Sequence, residues 1–204
     1  MEVHKLCDKL YPLVQKYKDE DHVEIEMRLG KFNGKMFDTN VGKENFNKVM
    51  MGLQKYMGWE KVIGSKHEIF YKESDGTRIS VDEDTGAEVI VRKERVKIED
   101  FKKIKGTPYD VRFSVSKEIP LPEDTSRDMD KKKLKKRMSF IRKNLAIDMT
   151  TCEGDSHDKD SEDPIVYQIE FEIIDPTRIQ TKDELFNIIH KVKDIFNLLH
   201  TNKC

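Results

Sequence analysis

The same seven-residue pattern stands near both ends of the chain, as Val23-Glu24-Ile25-Glu26-Met27-Arg28-Leu29 and as Tyr167-Gln168-Ile169-Glu170-Phe171-Glu172-Ile173. Apolar and polar residues alternate in each, the mark of a strand with one buried face. Alternate residues of a strand point the same way, so each Glu-x-Glu pair sets two carboxylates side by side, about 6.5–7 Å apart along the backbone. Like charges displayed this closely repel one another. Such pairs call for a positive partner, and a hard divalent cation with oxygen ligands is the natural one.

The alternation recurs between these two segments. Strands are predicted at 23–30, 67–73, 77–83, 87–98, 109–119, 133–143, 145–151 and 165–174. Ser74-Asp75-Gly76, Asp84-Thr85-Gly86 and Gly106-Thr107-Pro108 supply turns, and Asp75-Gly76 between alternating segments predicts a hairpin. Residues 120–132 predict a mobile polar loop, and residues 152–163 an acidic, solvated one. Helices are predicted at 2–18, where Pro12 is expected to interrupt or restart the helix, at 43–57 and at 181–200. The second carries Phe46, Val49, Met50, Leu53 and Met57 on one face, and the third opens on a Thr181/Glu184 capping box. Eight strands with three flanking helices predict a single α+β domain built on an eight-stranded antiparallel β-barrel.

Composition narrows the function. Charged residues make up 38% of the 204, against about 25% in an average globular chain. Yet 38 basic and 39 acidic residues leave a net charge of −1. That balance excludes both a polycationic nucleic-acid binder and an acidic solvating chain. Cys7, Cys152 and Cys204 are scattered, which argues against a disulfide scaffold or a structural zinc site and for an intracellular, reducing compartment. No apolar run approaches the roughly 18 residues of a membrane span, and no signal-peptide core opens the sequence. The histidines show no ligand spacing.

Sorting each strand into its two faces sharpens the picture. Segment 77–83 sets Ile79 and Val81 against Arg78, Ser80 and Asp82. Segment 109–119 sets Val111, Phe113, Val115 and Ile119 against Arg112, Ser114, Ser116 and Glu118. Segment 133–143 sets Leu134, Met138 and Phe140 against Lys133, Lys135, Arg137 and Ser139, and segment 145–151 sets Leu145, Ile147 and Met149 against Asp148 and Thr150. In 87–98, Val89 and Val91 share parity with Lys93, Arg95 and Lys97, which predicts a bulge or a change of environment. Ionic faces turned to water would make an ordinary half-exposed sheet. Turned inward, they would line a polar tunnel, with the helices covering the apolar outside. Basic groups would then hold phosphate oxygens while carboxylates hold the cation.

Glu24-x-Glu26, Lys133-x-Lys135-x-Arg137-Met138-Ser139, Asp148-x-Thr150 and Glu170-x-Glu172 occur in this order over about residues 23–174. The series resembles the triphosphate tunnel metalloenzymes. Within them it is most similar to the metal-dependent RNA 5′-triphosphatases of fungi, protozoa and large DNA viruses, and above all to the N-terminal triphosphatase module of giant-virus capping enzymes of the mimivirus type. The resemblance implies hydrolysis of the γ-phosphate of triphosphate-ended RNA, the first step of mRNA capping, with Mg2+ or Mn2+ as cofactor. It also implies hydrolysis of free nucleoside triphosphates with manganese.

By position, the resemblance implies that Glu24, Glu26 and Glu172 are metal ligands and Glu170 a ligand or a close partner of one. Arg78, Lys135 and Arg137 look like γ-phosphate clamps, and Lys133, Arg112 and one or both of Lys93 and Arg95 like further phosphate contacts. Glu118 looks like the carboxylate that orients or deprotonates the attacking water, and Asp148 and Thr150 like supports for the basic side chains. Implied partners are the 5′-triphosphate end of RNA, free nucleotides and fused guanylyltransferase and methyltransferase domains of a longer capping enzyme. The implied location is the site of viral transcription if the source is a virus. No membrane partner is expected, and a monomer is favoured. Gln168 stands where many relatives carry a third carboxylate. The alternatives are an inorganic or organic triphosphatase of the Glu-x-Glu-x-Lys branch, from which Arg28 departs, and a non-catalytic polyphosphate-binding module.

Overall fold

The computed structural model describes residues 2–104, 107–154 and 165–200. Helix α1 (Val3–Tyr17) leads into β1 (Val23–Asn33), the short β2 (Met36–Asp38) and α2 (Lys43–Lys55). Seven strands follow: β3 (Lys61–Tyr71), β4 (Thr77–Asp82), β5 (Glu88–Phe101), β6 (Asp110–Pro120), β7 (Lys131–Arg142), β8 (Leu145–Glu153) and β9 (Ile165–Ile173). Helix α3 (Lys182–His200) ends the described chain.

Eight of the strands close on themselves in the order β1-β6-β5-β4-β3-β7-β8-β9, and β9 pairs back to β1. Every pairing is antiparallel. Closure leaves no free edge in the barrel. Strand β2 is an addition, paired to β1 alone. The turn from β3 to β4 uses Gly76 at φ +77°, where an added Cβ would lie 2.7 Å from the Lys93 carbonyl oxygen. Asp75 shapes the same turn by accepting a hydrogen bond from the Thr77 backbone N–H at 2.9 Å.

The core lies outside the barrel, between its wall and the helices. Ile25, Met27 and Leu29 of β1, Val111, Phe113 and Val115 of β6, and Ile169 and Phe171 of β9 are all buried there. Leu10 and Val14 of α1, Val49 of α2, and Leu185, Ile189 and Val192 of α3 join the same cluster. Each apolar stripe therefore has its partner, and the alternate residues of these strands are left to face inward.

Four expectations need correction. Pro12 does not break α1, which runs through it. The residue lies on the exposed side, so the carbonyl deprived of a donor can take one from water. Helix α2 ends at Lys55, and Met57 is almost wholly exposed rather than packed. Strand β3 begins six residues earlier than expected, at Lys61, and β2 was not foreseen. The loop between β6 and β7 is narrower than expected, because Pro120 ends β6 and Lys131 opens β7. Arg127 ties this loop to Glu88 at 2.7 Å, and Asp130 N–H donates to the Tyr71 carbonyl at 2.8 Å. Most of the expected loop at 152–163 lies outside the described residues. The capping box forms as expected, with Thr181 N–H donating to Glu184 and Glu184 N–H to the Thr181 hydroxyl.

Candidate active site

Register brings the ionic faces together inside the barrel. Glu26 stands opposite Ser114 on one side and Glu172 on the other, and Arg28 opposite Glu170. Asp148 stands opposite Glu170 and Ser139, Thr150 opposite Arg137, and Lys93 opposite Glu118. Strand direction makes the two rims of the tunnel unlike. Strand β1 begins and β6 ends at one rim, near Glu24 and Glu118. Strand β3 ends and β7 begins at the other, where Tyr71 pairs with Lys131 and with Arg78.

The charges interlock. Lys93 Nζ is bonded to Glu24 and lies 3.4 Å from Glu118 Oε1 and 3.8 Å from Glu26 Oε1. Ser116 donates to Glu24 at 2.8 Å and Ser114 to Glu26 at 3.1 Å. Arg28 Nη2 donates to Glu26 at 3.0 Å. Arg137 reaches Asp148 at 3.1 Å and Glu170 at 3.5 Å, and its Nε donates to the Thr150 hydroxyl at 3.3 Å. Arg78 lies 3.9 Å from Glu118.

Protonation follows from these contacts. Burial alone would raise the Glu170 pKa, but Arg28, Lys135 and Arg137 together hold it well below the usual carboxylate range. Glu172 goes the other way, pushed up to about 7 first by burial and then by the charges of Glu24 and Asp148. Burial, reinforced by Arg137 and Arg28, pushes Lys135 down to about 8. Asp148 is raised by burial against the pull of Arg137.

Eleven of the expected site residues share this interior: Glu24, Glu26, Glu170, Glu172, Arg78, Lys93, Glu118, Lys135, Arg137, Asp148 and Thr150. Three do not join the cluster. Lys133 sits at the basic rim, its ammonium 5.7 Å from the centre of the Tyr71 ring. Arg112 is committed to Asp100 by two hydrogen bonds of 2.7 and 3.0 Å and packs over Phe37 at 4.4 Å. Of the pair left open, Lys93 is enclosed, whereas Arg95 is exposed beside a bulge that shifts the β5 register between Arg95 and Lys97. Arg28, Ser114 and Ser116 were not foreseen as site residues. Their parity with the glutamates they contact was the available signal.

The donor set suits a hard divalent cation. Among the described residues Glu172 has no ion pair or hydrogen bond, and like charges hold its proton on to about 7. Asp148 Oδ1 is buried and lacks a hydrogen-bond partner. A half-buried carboxylate without an ion pair, and a buried carboxylate oxygen without a hydrogen bond on the same wall, fit a cation of the magnesium type. Among the described residues the acidic groups do not already stand in a three-ligand cluster.

A closed barrel with carboxylates and fixed cations on one inner surface defines a tunnel protein that handles the charged end of a polyphosphate. A family model described as "mRNA capping enzyme, beta chain" matches residues 60–201. The chain belongs to that family, and with it to the RNA 5′-triphosphatases, hydrolases of triphosphate-ended RNA. Solved structures agree on the fold. Pct1 RNA triphosphatase of S. pombe superposes with a TM-score of 0.73 at 17% identity, over 99% of this chain and 93% of that one. The mimivirus capping enzyme triphosphatase gives 0.65 at 17% identity, over 95% of this chain and 97% of that one. No curated protein sequence matches.

Proposed function

We propose that this tunnel removes the γ-phosphate of RNA 5′ ends with a divalent cation, Mg2+ or Mn2+, held by Glu24, Glu26 and Glu172, with Glu170 beside them. The observation that carries the proposal is Glu172, a tunnel carboxylate without a cationic partner among the described residues, held protonated to about 7 by burial and by its acidic neighbours. When bound, the cation would neutralise charge on the transferring phosphoryl group and on its leaving oxygen.

The remaining roles fall to the chain itself. Arg78, Lys135 and Arg137 hold the γ-phosphate oxygens, and the planar guanidinium groups grip two oxygens at a time. Asp148, Thr150 and Glu170 fix Arg137 in place. Lys93 serves as a further phosphate contact once the phosphate competes for its ammonium. Glu118, within reach of both Arg78 and Lys93, orients the attacking water and takes up its proton. Lys93, Asp148 and Glu170 lie largely out of water, which strengthens their contacts.

Free nucleoside triphosphates enter the same tunnel and are hydrolysed with manganese. The mimivirus relative is the triphosphatase domain of a trifunctional capping enzyme, and a fusion to guanylyltransferase and methyltransferase modules is proposed for this chain too. The deciding experiment measures γ-phosphate release from triphosphate-ended RNA, with and without each metal, for wild type beside Glu26→Ala. Metal-dependent release that is lost in the variant is expected. Bound triphosphate without release under any metal would leave only a polyphosphate-binding module.

A further inference from the structure

We infer that the basic rim of the tunnel takes the first nucleotide of the RNA strand, with the Tyr71 ring as the stacking surface for its base and Lys131 and Lys133 as contacts for the phosphodiester that follows. The inference rests on the triphosphatase reading and adds to it a site for the nucleoside. A cavity of about 120 Å³ opens at this rim, lined by Tyr71, Lys72, Lys131 and Lys133 among others. Tyr71 is the register partner of both Arg78 and Lys131, and Lys133 shares a face with Lys135. The cavity is therefore the next step along the tunnel from the proposed γ-phosphate clamps. Gly76 completes its floor, and the Lys93 N–H donates to the Gly76 carbonyl at 3.0 Å, which fixes rim to clamp.

Charge favours this rim for the trailing RNA. The opposite rim carries Glu24 and Glu118 and repels a phosphodiester chain; this one presents Lys72, Lys131 and Lys133 beside Glu73, which pairs with Lys131 at 2.7 Å and would have to release it to a phosphodiester. In the free protein two cations lie over the Tyr71 ring, the Arg78 guanidinium at 5.4 Å and the Lys133 ammonium at 5.7 Å from its centre. A phosphate attracts either group more strongly than an aromatic face does. Arrival of the triphosphate draws them off the ring and frees it for a base. Stacking of this kind tolerates any base, because each has a π-face.

The test compares two non-hydrolysable ligands in magnesium by titration calorimetry. One is a triphosphate-ended dinucleotide with an imido β,γ-bridge, and the other is inorganic tripolyphosphate with the same bridge. Tyr71→Leu is expected to weaken the dinucleotide about tenfold and to leave the inorganic ligand within about twofold, while Tyr71→Phe keeps both. Equal losses for the two ligands would overturn the inference, as would unchanged dinucleotide binding in Tyr71→Leu. Wild type that binds the dinucleotide no better than the inorganic ligand would overturn it as well. Wild type that shows the expected binding but releases no phosphate from natural triphosphate-ended RNA would overturn the triphosphatase reading and leave this site standing.

Discussion

Arg28 Nε lies 2.9 Å from Glu170 Oε1, across the seam where β9 pairs with β1 and closes the barrel. The same guanidinium reaches Glu26 with its Nη2. One side chain thus ties the last strand to the first and holds a glutamate from each Glu-x-Glu pair. Removing it would leave two buried carboxylates short of a cation. Arg28→Met is expected to lower stability by about 2–4 kcal/mol, read from chemical denaturation. Arg28→Lys should recover less than half of that, because one nitrogen replaces the planar fork whose Nε and Nη2 meet the two partners separately.

The rate should depend on pH through two tunnel groups. Glu172 gives up its proton near 7 and Lys135 near 8 in the free protein. The profile of kcat/KM reports free-enzyme groups. At subsaturating metal it should rise toward pH 7 as Glu172 becomes a ligand, then fall above about pH 8 as Lys135 loses its charge. The descending limb should move or vanish in Lys135→Arg.

Lys135 also affects stability, with a definite sign. Its folded-state pKa is lowered, so between about 8 and its ordinary value near 10.5 the unfolded chain binds the extra proton. The stabilising effect of raising the pH belongs to that window. Relative to Lys135→Met, wild type should gain stability as the pH rises from 8 to 10.5, and the difference should be flat below 7. Thermal melts of both proteins across this range check it.

Glu118→Gln keeps the size of the side chain and removes the base. A drop in kcat of about 10²- to 10⁴-fold is expected, with KM for triphosphate-ended RNA changed little. An equal loss in binding would make Glu118 an anchor for Arg78 and Lys93 rather than the group that handles water.

Pro12 offers a change remote from the tunnel. It lies exposed inside α1 and supplies no N–H to the turn before it. Pro12→Ala should raise stability by about 1–2 kcal/mol, seen as a higher Tm with unchanged turnover.

The tunnel was legible because a barrel wall has a strict period of two. Parity alone assigns Glu24, Glu26, Arg137, Asp148 and Glu172 to one surface, and the amphipathic helices say which surface is inside. What parity cannot convey is a change of parity. Val89 and Val91 against Lys93, Arg95 and Lys97 pointed to a bulge, yet only the structure fixes it at Val96 and separates enclosed Lys93 from exposed Arg95. Arg112 has the right parity but is captured by Asp100, a partner two strand segments give no hint of. The start of β3 at Lys61-Val62-Ile63-Gly64 lacks alternation and pairs only because β7 lies beside it. Pro12 misled for a similar reason: tertiary packing of α1 outweighs one missing hydrogen bond.

Closure of β9 onto β1 has a consequence for substrate choice. A sheet with an open side admits a strand laid across it, but a sealed duct admits only what can be threaded. An internal phosphodiester cannot be threaded without passing the whole polymer through, whereas a terminus enters tip first. Discrimination between the start of a transcript and its thousands of interior linkages then needs no reader of sequence. It is a matter of topology, settled by the ring of strands before any side chain makes contact.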